Sequence, residues 1–151
     1  HTISVSAFLL NRSSDLFILS IYQKVTIAYE LNIMSIHDSR SITSLNEYEF
    51  SISEANGNWQ DSLGNYGKSK ILFYTESTEN GETYIKGLGQ LGDQNNNNIW
   101  FVPIRKSHQQ AGVGNFKVID ASKNYIFLIN SLCTYAINYL ENRSFLKVRC
   151  K

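Results

Sequence analysis

Leu132-Cys133-Thr134-Tyr135-Ala136-Ile137-Asn138-Tyr139-Leu140, then Glu141-Asn142, then Arg143-Ser144-Phe145-Leu146-Lys147-Val148-Arg149-Cys150, is the stretch that says most about the fold, and it holds both cysteines of the chain. Successive side chains on a strand point to opposite faces. A turn at Glu141-Asn142 pairs Leu140 with Arg143, Ile137 with Leu146, Tyr135 with Val148 and Cys133 with Cys150. One face then collects Cys133, Tyr135, Ile137, Tyr139, Leu146, Val148 and Cys150. The other carries Thr134, Asn138, Arg143, Lys147 and Arg149, with Ala136, Leu140 and Phe145 as exceptions. The cysteines fall at a non-hydrogen-bonded pair, where opposed Cα atoms approach most closely and a disulfide can form. The competing reading is a helix from Asn130 to Leu140, with Leu132, Tyr135, Ala136, Tyr139 and Leu140 on one stripe, because short apolar runs do not separate helix from strand. A disulfide survives either reading, and a pair of buried free thiols is the plain alternative.

Working back from this hairpin, the chain alternates at period two almost throughout. Ile3, Val5, Ala7 and Leu9 read as a strand; Phe17, Leu19 and Ile21 as a second; Val25, Ile27, Tyr29 and Leu31 as a third or its continuation. Ser35 to Asn46 is polar and irregular, then Tyr48, Phe50 and Ile52 alternate. Ala55-Asn56-Gly57-Asn58 reads as a turn and Ser62 to Lys68 as a loop. Lys70 to Glu76 is a strand, Asn80-Gly81 is the strongest hairpin signal in the chain, and Glu82 to Gln90 returns, with Gly87 and Gly89 marking a bulge or a close backbone approach. Trp100, Val102 and Ile104 form a further strand, which Pro103 places at an edge or strand end. Phe116, Val118 and Ile119 form another, and Tyr125 to Ile129 is apolar on both faces, as a central strand should be. About eight to ten short strands with turns between them predict a mainly β, antiparallel two-sheet β-sandwich. One or two helices are expected as insertions, between Ser13 and Ser44. The expectation is a single domain over 1–151, with the disulfide-linked hairpin at 132–151.

The chain has 151 residues, of which 42% are hydrophobic and 18% charged, against roughly 25% charged in an average soluble protein. Solubility therefore rests on Ser, Asn, Thr and Gln, which suits an exported setting, periplasmic or extracellular. The net charge of +1 argues against a nucleic-acid partner, which needs clustered Lys and Arg. No run reaches the ~18 apolar residues of a transmembrane helix. The chain opens at His1 without Met, which leaves room for a leader or lipid anchor removed from it.

Candidate chemistry is sparse. His37, Lys106 and His108 could supply two acid–base groups and a phosphate-binding cation for a ribonuclease-like site, although His in polar loops is usually just solvated. Asp93, Asn95 and Asn97 have the alternate spacing of a calcium loop, but Asn98 replaces its glycine and Ile104 its final Glu. Trp59, after Asn58, is the tryptophan expected at the surface, and with Tyr66 it could bind carbohydrate; Trp100 reads as core. Asn11-Arg12-Ser13 and Asn142-Arg143-Ser144 are glycosylation sequons. Serine-hydrolase elbows, phosphate loops and CxxC motifs are absent, and no metal or other cofactor is expected. The reading is non-enzymatic.

Leu10-Asn11 followed by Phe17-Ile18-Leu19-Ser20-Ile21-Tyr22-Gln23, and Tyr84-Ile85-Lys86-Gly87-Leu88-Gly89-Gln90 followed by Ile99-Trp100, resemble stretches of the TssJ family, outer-membrane lipoproteins of type VI secretion systems. The resemblance covers about a quarter of the chain. It implies a transthyretin-like sandwich with an added helical segment and no catalytic activity. It also implies that Asn11, Arg12, Ser13, Ser14 and Asp15 form the loop gripping a membrane secretion-complex subunit. That loop is very short here, no acylated cysteine is present, and the hairpin after Asn130 extends beyond the family's usual end. The expected function is thus an exported protein-interaction module. A secreted adhesin or carbohydrate-binding domain and a secreted ribonuclease-like toxin are the alternatives.

Overall fold

The computed structural model describes residues 28–108 and 112–151. They form one antiparallel sheet of β1 (Tyr29–Thr43), β2 (Glu49–Asp61), β3 (Tyr66–Ser77), β4 (Glu82–Asp93), β5 (Asn98–His108), β6 (Val113–Ala121), β7 (Leu132–Leu140) and β8 (Arg143–Cys150). Each strand pairs with the next, and β8 pairs back onto β1, so the sheet closes into a barrel. The two-sheet sandwich, read from strand spacing and implied by the TssJ resemblance, is therefore corrected. A sandwich needs strands that leave one sheet for the other, whereas here every connection joins neighbours and the inward face of each strand looks at all the others.

The C-terminal hairpin takes the register its alternation predicts. Cys133 opposes Cys150, Tyr135 opposes Val148, Ile137 opposes Leu146 and Leu140 opposes Arg143. Glu141 turns the chain with φ of 55°. The cysteines are disulfide-bonded across a Cα–Cα distance of 4.0 Å. The helical alternative for Asn130 to Leu140 is set aside, because Leu132–Leu140 makes ladders on both sides, to β6 and to β8.

Several other boundaries shift. Ala55 to Asn58 is not a turn but the middle of β2, and β3 begins at Tyr66, leaving only the residues just before it as connection. Ser35 to Thr43 continues β1; its inward positions are polar because they climb toward an open, solvated end of the barrel. The inserted helices expected between Ser13 and Ser44 give way to β1 from Tyr29 onward, and the rest of that span, with the first two strands expected, lies outside the described residues. Tyr125 to Ile129 is not a central strand. Lys123–Leu128 forms a 3-10 helix that buries Tyr125 and Leu128 and plugs one end of the barrel.

Pro103 occupies no edge, since a closed barrel has none. It sits where the β4–β5 ladder is interrupted, between the pairs Ile85↔Arg105 and Gly89↔Phe101, so its missing N–H costs no bond there. The glycines of β4 mark a close approach. A Cβ at Gly89 would lie 2.2 Å from the Phe101 ring, and one at Gly114 would lie 2.4 Å from the Tyr135 hydroxyl. Aromatic rings rest on these bare backbones inside the barrel.

The core fills the plugged half. Leu31, Ile33, Leu91, Ile99, Val118 and Val148 are almost fully buried there with the disulfide. The cysteines are 17 residues apart in sequence, and a loop of that size is worth about 3 kcal/mol in the chain-entropy model. The Cys133→Ala/Cys150→Ala variant should lose about that much in urea-induced unfolding. A loss below about 0.5 kcal/mol would mean that the ladders alone determine closure.

Candidate functional site

The plugged end is built from one device used twice. Asp61, at the end of β2, accepts hydrogen bonds through Oδ1 from the backbone N–H of Leu63 (2.9 Å) and of Asn65 (2.8 Å), and through Oδ2 from Asn65 Nδ2 (2.8 Å). Asp93, at the end of β4, does the same for Asn95 N (2.8 Å), Asn97 N (2.8 Å) and Asn97 Nδ2 (3.0 Å to Oδ2). Each carboxylate also takes a tyrosine hydroxyl from the barrel axis: Tyr29 Oη donates to Asp61 Oδ2 at 2.8 Å, and Tyr125 Oη donates to Asp93 Oδ2 at 2.9 Å. Trp59 packs edge-on against Tyr125, and its Nε1 donates to the Gly92 carbonyl at 3.0 Å.

This arrangement absorbs two sequence candidates. The trio Asp93, Asn95 and Asn97 is brought together, but the Asn residues turn N–H groups toward the carboxylate rather than oxygens toward a cation. Trp59 is only 3% exposed, so its expected surface position is corrected; Tyr66, its partner in the expected carbohydrate site, is exposed on β3, and both border a shallow depression with Asn58 and Lys68. Trp100, expected in the core, is half-buried beside the β5 irregularity. Sequence reasoning missed the Asp61 turn altogether. Its signal was available as an Asp-x-x-x-Asn pattern recurring between alternating stretches.

Burial and then the Asp61 hydrogen bond push the Tyr29 phenol above its ordinary range, and burial and then Asp93 do the same for Tyr125. Burial pushes the Asp93 carboxyl up, but the hydrogen bonds from Asn97, Asn95 and Tyr125 outweigh it and hold the group below its usual value. A depressed carboxyl contributes stability that is present above its unfolded pKa, near 4, and is lost as pH falls through the lower folded value. Asp93→Asn should therefore destabilise the protein at neutral pH by about 1–3 kcal/mol and flatten the acid limb of a pH–stability curve. An unchanged acid limb would show that the turn does not depend on the charge.

The other half of the barrel is not filled. A cavity of ≈ 70 Å³ lies there, walled by Ile71, Phe73, Ile85, Phe101, Phe116 and Ile137, with Ala55, Pro103, Tyr135 and Leu146 completing its apolar surface. Its polar corner is His37, whose Nε2 lies 2.6 Å from Ser144 Oγ. The His37 ring also meets Phe73 edge-on at 6.3 Å and Tyr139 at 5.9 Å. β1 stops pairing with β8 at Ile36↔Arg143, and His37 N donates to Asn142 O just above it. β1 and β2 continue well past this level to Thr43 and Glu49, so the wall is low on the β7–β8 side, where Tyr139 is exposed.

Of the ribonuclease-like set, His37 points into the barrel from β1, while the backbone of Lys106 to His108 belongs to β5, on the opposite wall of the ring. Asn11, Arg12, Ser13, Ser14 and Asp15 lie outside the described residues. Asn142 occupies the β7–β8 turn, and the serine of its sequon, Ser144, is buried.

Burial lowers the pKa of His37. A base with a depressed folded pKa contributes stability that is fully present above its unfolded value, about 6.5, and declines as pH falls toward the folded one. Stability between pH 7 and 5 should fall more steeply in the wild type than in His37→Gln, with His1 and His108 common to both proteins. Equal slopes would place the imidazole in a water-like environment.

No family model matches the chain, and no curated protein does. Among the solved structures that share its fold are two proteins of unknown function. A conserved protein of unknown function from Rhodopseudomonas palustris superposes with a TM-score of 0.64 at 10% identity, over 81% of this chain and 94% of that one. A protein with unknown function from Clostridium acetobutylicum gives 0.66 at 10% identity, over 82% and 98%. The class defined by fold and site is an eight-stranded up-and-down barrel, plugged at one end and hollow at the other.

Proposed function

We propose that the protein is a non-catalytic binding barrel that holds one small, mainly apolar molecule in its hollow half. The observation that carries this reading is the cavity itself, a mainly apolar chamber with the hydrogen-bonded pair His37 and Ser144 at one corner. Eight-stranded barrels are just wide enough either to be filled by side chains or to hold one small ligand, and this one does the first at its plugged end and leaves room for the second at the other. Sites that bind small molecules combine apolar walls with few polar groups, as here. The Cys133–Cys150 disulfide is compatible with an oxidising environment, and a periplasmic or extracellular protein that carries or senses a small molecule is the reading it supports.

A water needs about 10–15 Å³ of such space, and a dry apolar cavity of about 150 Å³ holds benzene, so ≈ 70 Å³ has room for on the order of five waters and takes a single ring only if its walls draw back. Titration with p-cresol, followed by methyl NMR, should move the Ile71, Ile85 and Ile137 resonances saturably and leave Ile33 in place. Ala55→Leu, which fills the chamber, should abolish the shifts. If no single-ring compound gives a saturable shift at these methyls, the chamber is a packing defect and the reading fails.

A further inference from the structure

We propose that the barrel docks onto a membrane surface of anionic lipid through the outer face of β7 and β8. The net charge of +1 conceals two opposed halves. Residues 29–93, which form β1 to β4, carry ten Asp or Glu against four Lys or Arg, a net charge of −6. Residues 94–151, which form β5 to β8, carry eight Lys or Arg against two carboxylates, a net charge of +6. Because the strands follow one another round the ring, these halves are opposite walls, and the charge is strongly lopsided. The cations are densest on β8, where Arg143, Lys147 and Arg149 are exposed with Lys151 just beyond, and neither β7 nor β8 carries a carboxylate. Next to this face, Glu30 on β1 is held by Arg149 Nε at 3.3 Å and Glu141 sits in the turn. Lys117 adds a cation from β6, opposite Leu132.

Apolar side chains are interleaved with these charges: Leu132, Leu140 and Phe145 are all exposed on the same face. A shallow depression there is lined by Val113, Leu132 and Ala136 from β6 and β7, by Lys147, Arg149 and Lys151 from β8 and just beyond it, and by Glu30. Such a mixture fits a bilayer interface. The charged heads reach lipid phosphates on flexible stems, while the apolar side chains enter the boundary between headgroups and acyl chains. An acidic polypeptide or a nucleic-acid duplex would meet the cations but leave the apolar side chains in water. Docking this way does not depend on the chamber, and it turns the low β7–β8 wall of the hollow half toward the lipid.

Flotation of the full chain with phosphatidylcholine vesicles containing about one-third phosphatidylglycerol, in about 0.1 M salt, tests the docking. We expect binding that pure phosphatidylcholine does not give and that about 0.5 M salt removes. Each cation near such a surface is worth about fivefold, so Lys147→Gln/Lys151→Gln should weaken binding about thirtyfold. Lys68→Gln/Lys70→Gln, an equal loss of charge on the opposite wall, should change it by about twofold at most. Leu132→Ser/Phe145→Ser should weaken binding and leave its salt dependence unchanged. Equal losses in the two lysine pairs would overturn the choice of face, and equal binding to pure phosphatidylcholine would overturn its electrostatic basis. Full binding by Leu132→Ser/Phe145→Ser, with poly-glutamate captured as tightly as the vesicles, would assign the face to an acidic polypeptide and overturn the bilayer. No flotation with either vesicle would overturn the docking altogether.

Discussion

The pairing of β1 with β8, from Tyr29↔Cys150 to Ile36↔Arg143, is the contact on which the rest of the molecule depends. Without it the sheet would have two open edges, each offering a row of unpaired backbone groups to other chains. With it, every inward side chain faces a common interior, and the strands must tilt and coil to close the ring. The disulfide reinforces this seam from the adjacent pair, since Cys150 lies opposite both Tyr29 and Cys133. The point where the seam stops is equally consequential. Because β8 begins at Arg143, β1 runs on past His37 paired with β2 only, and the barrel wall drops on the β8 side.

The two halves of the interior solve the same problem differently. At the plugged end, the tyrosine hydroxyls on the axis meet carboxylates at the hairpin turns, and each carboxylate is already fixed by its own turn. The 3-10 helix then covers the opening with Tyr125 and Leu128. At the other end, the small inward residues Ser53, Gly87 and Gly89 on β2 and β4 sit opposite the rings of Phe73 on β3 and Phe101 on β5, and Ala55 sits opposite Ile71. The rings lie on bare backbone on one side and leave a space between them. That space distinguishes the open end from the plugged one.

Much of the local structure was legible. The C-terminal register followed from alternation and the turn, because a slip of one residue would have sent every apolar side chain to the wrong face and separated the cysteines. The Asn80-Gly81 turn was equally plain, with Gly81 at φ of 76°. Misreadings occurred where a residue's usual local preference yielded to the barrel. Asn56-Gly57-Asn58 looks like a turn, yet Gly57 is needed within β2, where a Cβ would lie 1.8 Å from the Met34 carbonyl oxygen. Tyr125 to Ile129 looks like a central strand because it is apolar, but its apolar side chains serve as a plug. Trp59 seemed a surface residue only because the turn beside it was misassigned.

The sequence by itself determined the antiparallel character of the chain, its turns of strongest signal and the cysteine pairing, all of which are short-range consequences of period-two alternation and turn chemistry. Only the tertiary structure decided whether the strands made a sandwich or a ring, since strand spacing is the same in both and closure depends on contacts between the first and last described strands. The same closure decided the site. His37 and Ser144 are 107 residues apart in the chain and 2.6 Å apart in space, and no local pattern in either stretch marks them as partners.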